Sequence, residues 1–130
     1  MKIVNLTPHP ITIYKKEAFT NLEQIKPTAW VADGVNSDPF IILDSQGVAR
    51  ISVKSESNGE IEGIPTVKTI YEEPEGIPSD IKDDDILIVS LPFASMAKGK
   101  IRNRMMSPYG VVRSRQNGSI VLGCMGLTEQ

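Results

Sequence analysis

The sequence predicts a single mainly β domain of the α+β class, spanning residues 1–130, with one short helix near residues 91–99. We expect a compact mixed or antiparallel sheet, or a barrel-like arrangement. The 130-residue chain is 40% hydrophobic and 23% charged, which is typical of one globular domain. Aromatic residues reach only 5%, so Ile, Val and Leu must form the core. About seven or eight short β-type segments accompany one helical segment.

The N-terminal part contains two strand patterns and then an irregular stretch. Residues 2–6 predict a short strand, which Thr7-Pro8-His9-Pro10 interrupts because proline lacks a backbone donor. Residues 11–14 alternate between apolar and polar and predict a second strand, which would form a hairpin with the first. Residues 15–39 show no sustained period, so we expect a long loop, with a short strand at Val31 as one option.

The middle of the chain predicts a hairpin, a further strand and an acidic loop. The apolar run 40–43 and the alternating segment 48–55 together resemble a β-hairpin. The Asn-Gly pair at residues 58–59 is expected at the tip of a polar loop. Residues 64–71 are rich in β-branched side chains and predict a strand. Residues 72–85 are acidic and interrupted by proline and glycine, which suits a solvated loop.

The C-terminal part gives the clearest strand. Residues 85–90 are apolar on both faces, so the strand should lie centrally in its sheet. The helix at 91–99 follows directly. Residues 110–115 and 119–124 flank a second Asn-Gly turn and predict another hairpin.

Ser90 stands where this central strand meets the helix. Ser90 or Leu91 would be the N-cap, with Pro92 in the first turn and Gly99 at the end. Free N–H groups at such a junction can bind an anion, so Ser90 is a candidate ligand-binding residue. A Gly-x-Ser-x-Gly motif is absent and the chain has one histidine, which argues against a catalytic serine. Simple capping of the helix is the alternative.

The charges are distributed unevenly along the chain. Residues 1–85 carry 8 basic and 15 acidic side chains, whereas residues 86–128 carry six basic and no acidic ones. The net charge of −2 excludes a globally basic nucleic-acid binder. The asymmetry indicates either a local anion site or a contact between copies, and the alternative is that the two halves neutralise each other.

Four arginines and one tyrosine are the leading candidates for that anion site. Arg113 and Arg115 should project from one face of a strand, and Arg102 and Arg104 share the same spacing. Guanidinium groups bind phosphate or carboxylate with two parallel hydrogen bonds. Tyr109 would offer a stacking face, but one aromatic residue is too few for an extended nucleic acid. A solvated edge, or pairing with the acidic loop, is the alternative.

The Thr-Pro-His-Pro turn offers polar side chains. His9 is the single imidazole, and we expect it to contact a sugar or base together with Asn5 and Thr7. The alternative is a histidine that bonds a backbone carbonyl and organises the turn. No spacing suits a metal site or a cofactor motif, and Cys124, the single cysteine, is expected to be a buried, inert thiol.

The compartment is expected to be the cytoplasm, with no membrane partner. No apolar stretch approaches the ~18 residues of a membrane-spanning helix. The N-terminal apolar residues meet a turn at Thr7-Pro8, which does not fit a secretory signal. One cysteine cannot form an intramolecular disulfide.

Three segments carry a resemblance. The Val-Asn-Leu-Thr-Pro-His-Pro-Ile sequence of residues 4–11 resembles the start of a group of small proteins encoded by phages, prophages and some bacteria. Residues 86–90 and 123–127 are also similar to that group. Small phage proteins with arginine-lined pockets include sponges that sequester the signals of bacterial defence. The resemblance implies a counter-defence protein that binds a cyclic nucleotide or an ADP-ribose derivative in the host cytoplasm without catalysis.

Two other functions remain open, and so does the assembly. The protein could be a hydrolase acting on such a nucleotide, or a direct inhibitor of a host defence enzyme. We expect a homodimer or higher homo-oligomer, because opposite-signed halves can pair across an interface and strand-rich domains leave edges to cover. The alternative is a monomer whose acidic loop folds over its own arginines.

Overall fold

A computed structural model describes residues 1–129 and confirms a mainly β fold. Strands account for 48% of the chain and helices for 8%, and the described residues form several small sheets without a closed barrel. The elements in chain order are β1 (Ile3–Asn5), β2 (Ile11–Ile13), a 3₁₀ helix (Lys16–Ala18), β3 (Phe19–Thr20), β4 (Glu23–Lys26), β5 (Ala29–Ala32), β6 (Gly34–Val35), β7 (Ile41–Leu43), β8 (Val53–Ile61), β9 (Ile64–Tyr71), β10 (Ile86–Ile88), α1 (Leu91–Ala97), β11 (Met105–Tyr109), β12 (Val112–Ser114), β13 (Val121–Gly123) and β14 (Gly126–Glu129).

The first sheet has the order β1-β10-β11-β14 and contains the main core. β10 pairs in parallel with both β1 and β11, and β14 closes the other edge antiparallel to β11. All three residues of β10 are buried, so the predicted central strand is confirmed. Leu87 and Val89 pack with Val4, Leu6 and Phe93 in one apolar cluster. This cluster joins the sheet to α1.

The helix α1 follows the sequence prediction closely. Ser90 is its N-cap, and its side-chain oxygen accepts a hydrogen bond from the Phe93 N–H at 3.2 Å. Pro92 occupies the first turn, where no donor is lost. The helix ends at Ala97, and Gly99 then adopts a φ of +87° that glycine reaches without strain.

The second sheet has the order β13-β12-β5-β4. β12 and β13 form the predicted antiparallel hairpin, and β5 lies parallel to β12 with Val112 opposite Trp30. Val112 and Ala32 are buried with Tyr14 and Phe19, whose rings meet edge to face at 5.4 Å. Trp30 packs against this second cluster and is half-buried.

The prediction that residues 15–39 form mainly a long loop is wrong, although the short strand considered at Val31 is confirmed as part of β5. The segment contains the 3₁₀ helix and β3 to β6, with β3 paired to β6 and β4 paired to β5. These strands have two to four residues, so none is long enough to show a period in the sequence. The burial of Ala18, Phe19 and Ala32 holds the segment against the second cluster.

Two of the expected hairpins are also wrong. β2 pairs with β7 rather than with β1, so the apolar run of β7 is used there and not in a hairpin with residues 48–55. The Asn5 side chain supports this arrangement: its amide donates to the carbonyls of His9 and Leu43 and so connects β1, the turn and β7.

β8 and β9 form a two-stranded antiparallel hairpin, which we call the arm. Every residue of β8 is exposed, as are most residues of β9, and no other element packs extensively on either strand within residues 1–129. β9 matches the predicted strand 64–71, but the turn is not at residues 58–59. Glu62 and Gly63 form it, with φ of 52° and 81°. The Asn-Gly pair lies instead in a bulge, where the register shifts between Ser57 and Glu60.

Candidate functional site

The structure does not gather the four arginines into one cluster. Arg102 and Arg104 precede β11 in the first sheet, whereas Arg113 and Arg115 lie on or just after β12 in the second. Val112 and Ser114 are buried and the two arginines beside them are exposed, so the predicted shared face of this strand is confirmed.

Arg102 and Arg104 each have a carboxylate partner. Arg102 Nη1 lies 3.7 Å from Asp83 Oδ2, and Arg104 Nε donates to Glu129 Oε1. Both pairs are exposed, so they contribute little to stability. The acidic segment 72–85 therefore meets basic residues of its own chain, as the alternative proposed. Two further ion pairs also join this acidic segment to basic residues, Glu73 with Lys100 and Asp80 with Lys2.

Arg115 links the end of β12 to residues at the two ends of the β4–β5 hairpin. Its guanidinium pairs with Asp33 and Glu23, and Nη2 also donates to the Asn21 carbonyl at 2.7 Å. The Asn21 side-chain amide and the Arg115 guanidinium both hold the pKa of Asp33 below its ordinary value. Arg115 thus has intramolecular partners on several sides, which suits a structural role.

Arg113 differs from the other three arginines. Within residues 1–129 it pairs with no carboxylate, and its Nη1 donates to the Gly118 carbonyl of its own hairpin at 3.1 Å. It lines a cleft of about 320 Å³ beside β5. The remaining lining residues are Ile25, Thr28, Ala29, Trp30, Val31, Val111 and Gly118.

A second cleft of about 190 Å³ adjoins the first and contains Tyr109. The two clefts share Thr28, Trp30 and Val111, so they meet at these three residues. Tyr109 is 51% exposed. The other residues of this cleft are Pro27, Pro108, Gly110 and Thr128. We call the two together the Trp30 cleft.

The local sequence explains how these residues come together. β11 of the first sheet ends at Tyr109, and Gly110 turns the chain towards β12 with a φ of +65°. A Cβ atom at Gly110 would lie 2.5 Å from the Met125 side chain, so the close approach also needs glycine. On the other side, Trp30 is held on β5 with the Lys16 ammonium 6.0 Å from its ring centroid.

Comparison with family models, with curated protein sequences and with solved structures finds no match to this chain. The site is therefore assigned from its own geometry. Among the helices within residues 1–129, none has the length and apolar character to cross a membrane.

Asn5, Thr7 and His9 belong to a structural turn. Asn5 is fully buried, and its side chain donates to two carbonyls at 2.8 and 2.9 Å and accepts from the Thr7 N–H and hydroxyl. Its hydrogen-bonding groups are therefore engaged. The His9 side chain is exposed, and its carbonyl, not its imidazole, takes part in the turn. None of the three lines the Trp30 cleft.

Ser90 and Cys124 also lie outside the cleft. Ser90 caps α1, whose buried residues Phe93, Ala94 and Ala97 belong to the first sheet's core. Cys124 is buried and burial raises the pKa of its thiol, which suits the inert role expected for it. In the part of the chain that the structure describes, no three His, Cys, Asp or Glu side chains are placed to hold a metal ion.

Sequence reasoning identified Tyr109 and Arg113 but missed Trp30. The residue lies in the segment interpreted mainly as a loop, and although a short strand at Val31 was considered, the cleft beside it was not expected. One signal was present: it is the single tryptophan of a chain with few aromatic residues.

Proposed function

We propose that this protein is a non-catalytic binding protein for a small anionic nucleotide-like ligand, which occupies the Trp30 cleft. The observation that carries the proposal is the position of Arg113, an arginine without a carboxylate partner in residues 1–129. Its cleft also has the half-buried Trp30 in its lining and adjoins the cleft of the exposed Tyr109. Arg102, Arg104 and Arg115, by contrast, already pair with carboxylates of the chain.

The chemistry of the lining suits such a ligand. Every base has a flat π face that stacks on an aromatic side chain, and such stacking contributes roughly 1–3 kcal/mol per base. The Arg113 guanidinium can donate two hydrogen bonds to a phosphate. The larger cleft of about 320 Å³ lies in the size range of small-molecule sites, roughly 300–1,000 Å³.

The biological form of the proposal comes from the resemblance to phage proteins. A protein that holds a cyclic nucleotide or an ADP-ribose derivative in the host cytoplasm would lower its free concentration and so counter bacterial immunity. Sequestration requires binding alone, and the lining supplies an aromatic face, hydroxyl groups and a cation for it.

Calorimetric titration with cyclic di-AMP and with ADP-ribose tests the site. Arg113→Ala should weaken binding of whichever probe binds by roughly 1.5–3 kcal/mol, because a charge-assisted hydrogen bond is lost. Arg102→Ala is the matched control, since this arginine is 86% exposed and lies outside the cleft. Equal binding by both variants and the wild type would place the site elsewhere, and absence of binding to any nucleotide would refute the proposal.

The fate of the bound probe separates the alternatives. Heat denaturation of the complex should release a probe of unchanged mass, as mass spectrometry would show. A shortened probe would favour the hydrolase. A host enzyme that co-purifies with the chain, with no nucleotide bound, would favour the direct inhibitor.

A further inference from the structure

The tip of the arm exposes an apolar pair. Ile61 and Ile64 lie directly opposite each other across the two-residue turn, and 66% and 64% of their surfaces are exposed. Glu60 and Glu62 flank Ile61 in the sequence. Two large aliphatic side chains with acidic neighbours therefore stand at the end of a hairpin with no contact that buries them in residues 1–129.

A groove elsewhere on the molecule has the complementary character. It has a volume of about 450 Å³ and shares no lining residue with the Trp30 cleft. Phe40 and Ile41 on its wall are 66% and 41% exposed, although both are large and apolar. The groove is lined by Ile3, Ile13, Tyr14, Lys15, Phe40, Ile41, Leu43, Met125, Gly126 and Leu127.

The one charged residue of this lining is a lysine. Lys15 Nζ lies 5.4 Å from the centroid of the Phe40 ring, and Lys16 follows it in the sequence. Within residues 1–129 neither ammonium pairs with a carboxylate at ion-pair distance. Glu17 and Asp38 line a smaller, neighbouring cleft that also includes Lys15 and Phe40, and neither of these acidic residues lines the groove itself.

We propose that the arm tip of one copy of this chain docks in the apolar groove of a second copy. Ile61 and Ile64 would enter the groove beside Phe40, and Glu60 or Glu62 would meet Lys15. Both surfaces carry apolar area that water disfavours, and their charges have opposite sign. This proposal concerns a different surface from the Trp30 cleft and depends on no part of the proposed ligand site.

The reach of the arm fits a neighbour rather than its own body. β8 has nine residues, which extend roughly 30 Å at about 3.3 Å per residue. A two-stranded hairpin by itself is only marginally stable, so a docked partner would also stabilise the arm. Under two-fold symmetry each copy gives its arm and receives one, so the contact is made twice. Because the contact is made twice, the surface area buried on each copy comes closer to the about 800 Å² per partner that a standard interface buries.

Pairing of arm edges is a weaker way to join two copies. Pro65 interrupts the free edge of β9 because it has no N–H to donate, and the bulge after Ser57 distorts β8. Neither edge would bury Ile61 and Ile64 or fill the groove. Docking of the tip in the groove, by contrast, would bury the exposed apolar residues of both surfaces.

Sedimentation velocity over a dilution series tests the proposal. The wild type should pass from 14.3 kDa to twice that mass as concentration rises. The double variant Ile61→Ser/Ile64→Ser and the groove variant Phe40→Ser should each raise the dissociation constant at least about tenfold, because apolar burial is lost. Ile120→Ser is the matched control: Ile120 is 50% exposed, lies on neither surface and should leave association unchanged. Circular dichroism checks that each variant is folded.

Mixing the variants makes the test specific. The tip variant keeps an intact groove and the groove variant keeps an intact tip, so a heterodimer has one intact contact and one in which both sides are changed. Substitutions on the two sides of one contact are not additive, because a contact already lost through the tip loses little more through the groove. An equimolar mixture should therefore associate more tightly than either variant alone. Lys15→Glu should weaken association, and combination with Glu62→Lys should restore it. A wild type that stays at one copy at every concentration overturns the proposal. So does a dimer that neither tip nor groove variants weaken, or a mixture that shows no gain.

Discussion

β10 and β8 are both strands of this chain, but they form for different reasons. Each residue of β10 is buried between two neighbouring strands, and its sequence is an uninterrupted apolar run. Leu87 packs in the cluster that includes α1, and Ile88 packs in another cluster with Ile11 and Cys124. Each residue of β8 is exposed, and its sequence is mostly polar. β10 is held by tertiary burial, whereas β8 depends on a tight turn and on pairing with β9. Stability should therefore be concentrated in the sheet around β10, while the arm is left available for contacts with other molecules.

The largest expected effect comes from deleting apolar volume in the two regions. Leu87→Ala in β10 should lower the free energy of unfolding by about 2–5 kcal/mol, because the side chain is fully buried and leaves a cavity. Val67→Ala in β9 should change it by less than about 0.5 kcal/mol, since Val67 is 63% exposed. Urea unfolding at low protein concentration measures both. Similar losses at the two positions would contradict the division between body and arm.

The same division explains which parts of the fold were predictable. Strands 85–90 and 64–71 were found because an apolar run and a β-branched run are visible without knowledge of partners. The pairing of β2 with β7 was not predicted, because it joins segments about 30 residues apart and depends on contacts such as the hydrogen bonds of the buried Asn5 amide to the His9 and Leu43 carbonyls, which no local pattern shows. The turn of the arm was predicted at the wrong residues because an Asn-Gly pair fits a bulge as well as a turn. The register of β8 against β9 selects the bulge.

The candidate site was predictable to a similar extent. Arg113 lies on a strand that was expected, so the type and spacing of the arginines were informative there. The strand β11 that ends at Tyr109 and the turn at Gly110 were not predicted. Trp30 needed the parallel pairing of β5 with β12, which joins segments far apart in the chain. The partners of Arg102, Arg104 and Arg115 could not be assigned from charge balance, because a count of charges does not reveal which carboxylate lies beside which guanidinium.

The pH dependence of the free energy of unfolding also tests the difference between the sheet around β10 and the arm, because a buried carboxylate stands next to β10. Asp85 precedes β10, is 2% exposed and accepts hydrogen bonds from the Lys82 and Lys2 N–H groups, both at 3.0 Å. These bonds, that from Lys82 above all, lower the pKa of Asp85 from its ordinary value of 3.8 against the opposing effect of burial. Its stabilising contribution is thus present above pH 3.8 and lost as pH falls through the lower folded pKa.

The corresponding variant is Asp85→Asn, which cannot titrate. Its free energy of unfolding should fall less steeply than that of the wild type as the pH drops below 3.8. Part of the pH dependence of the free energy of unfolding should remain in this variant, because Asp33 also has a lowered pKa. The hydrogen bond from the Asn21 amide is the main cause of that shift, followed by the hydrogen bond from Arg115. Glu56→Gln on the arm is the control and should follow the wild-type profile. Urea unfolding between pH 7 and pH 2.5 would reveal parallel slopes for wild type and Asp85→Asn if this account were wrong.

The smallest expected effect compares two exposed serines, one from each region. Ser90→Ala should lower the free energy of unfolding by about 1 kcal/mol, because its side chain caps α1 and the Phe93 N–H would lose that partner. Ser57→Ala on β8 should change it by less than about 0.5 kcal/mol, since exposed substitutions without such a role cost little. If exposure alone determined the loss of stability, the two variants would lose the same amount. Thermal unfolding of both variants therefore shows whether the capping hydrogen bond adds to stability. If both variants unfold with the wild type, Ser90 contributes no measurable cap, and the stability of α1 comes from the burial of Phe93 and its neighbours.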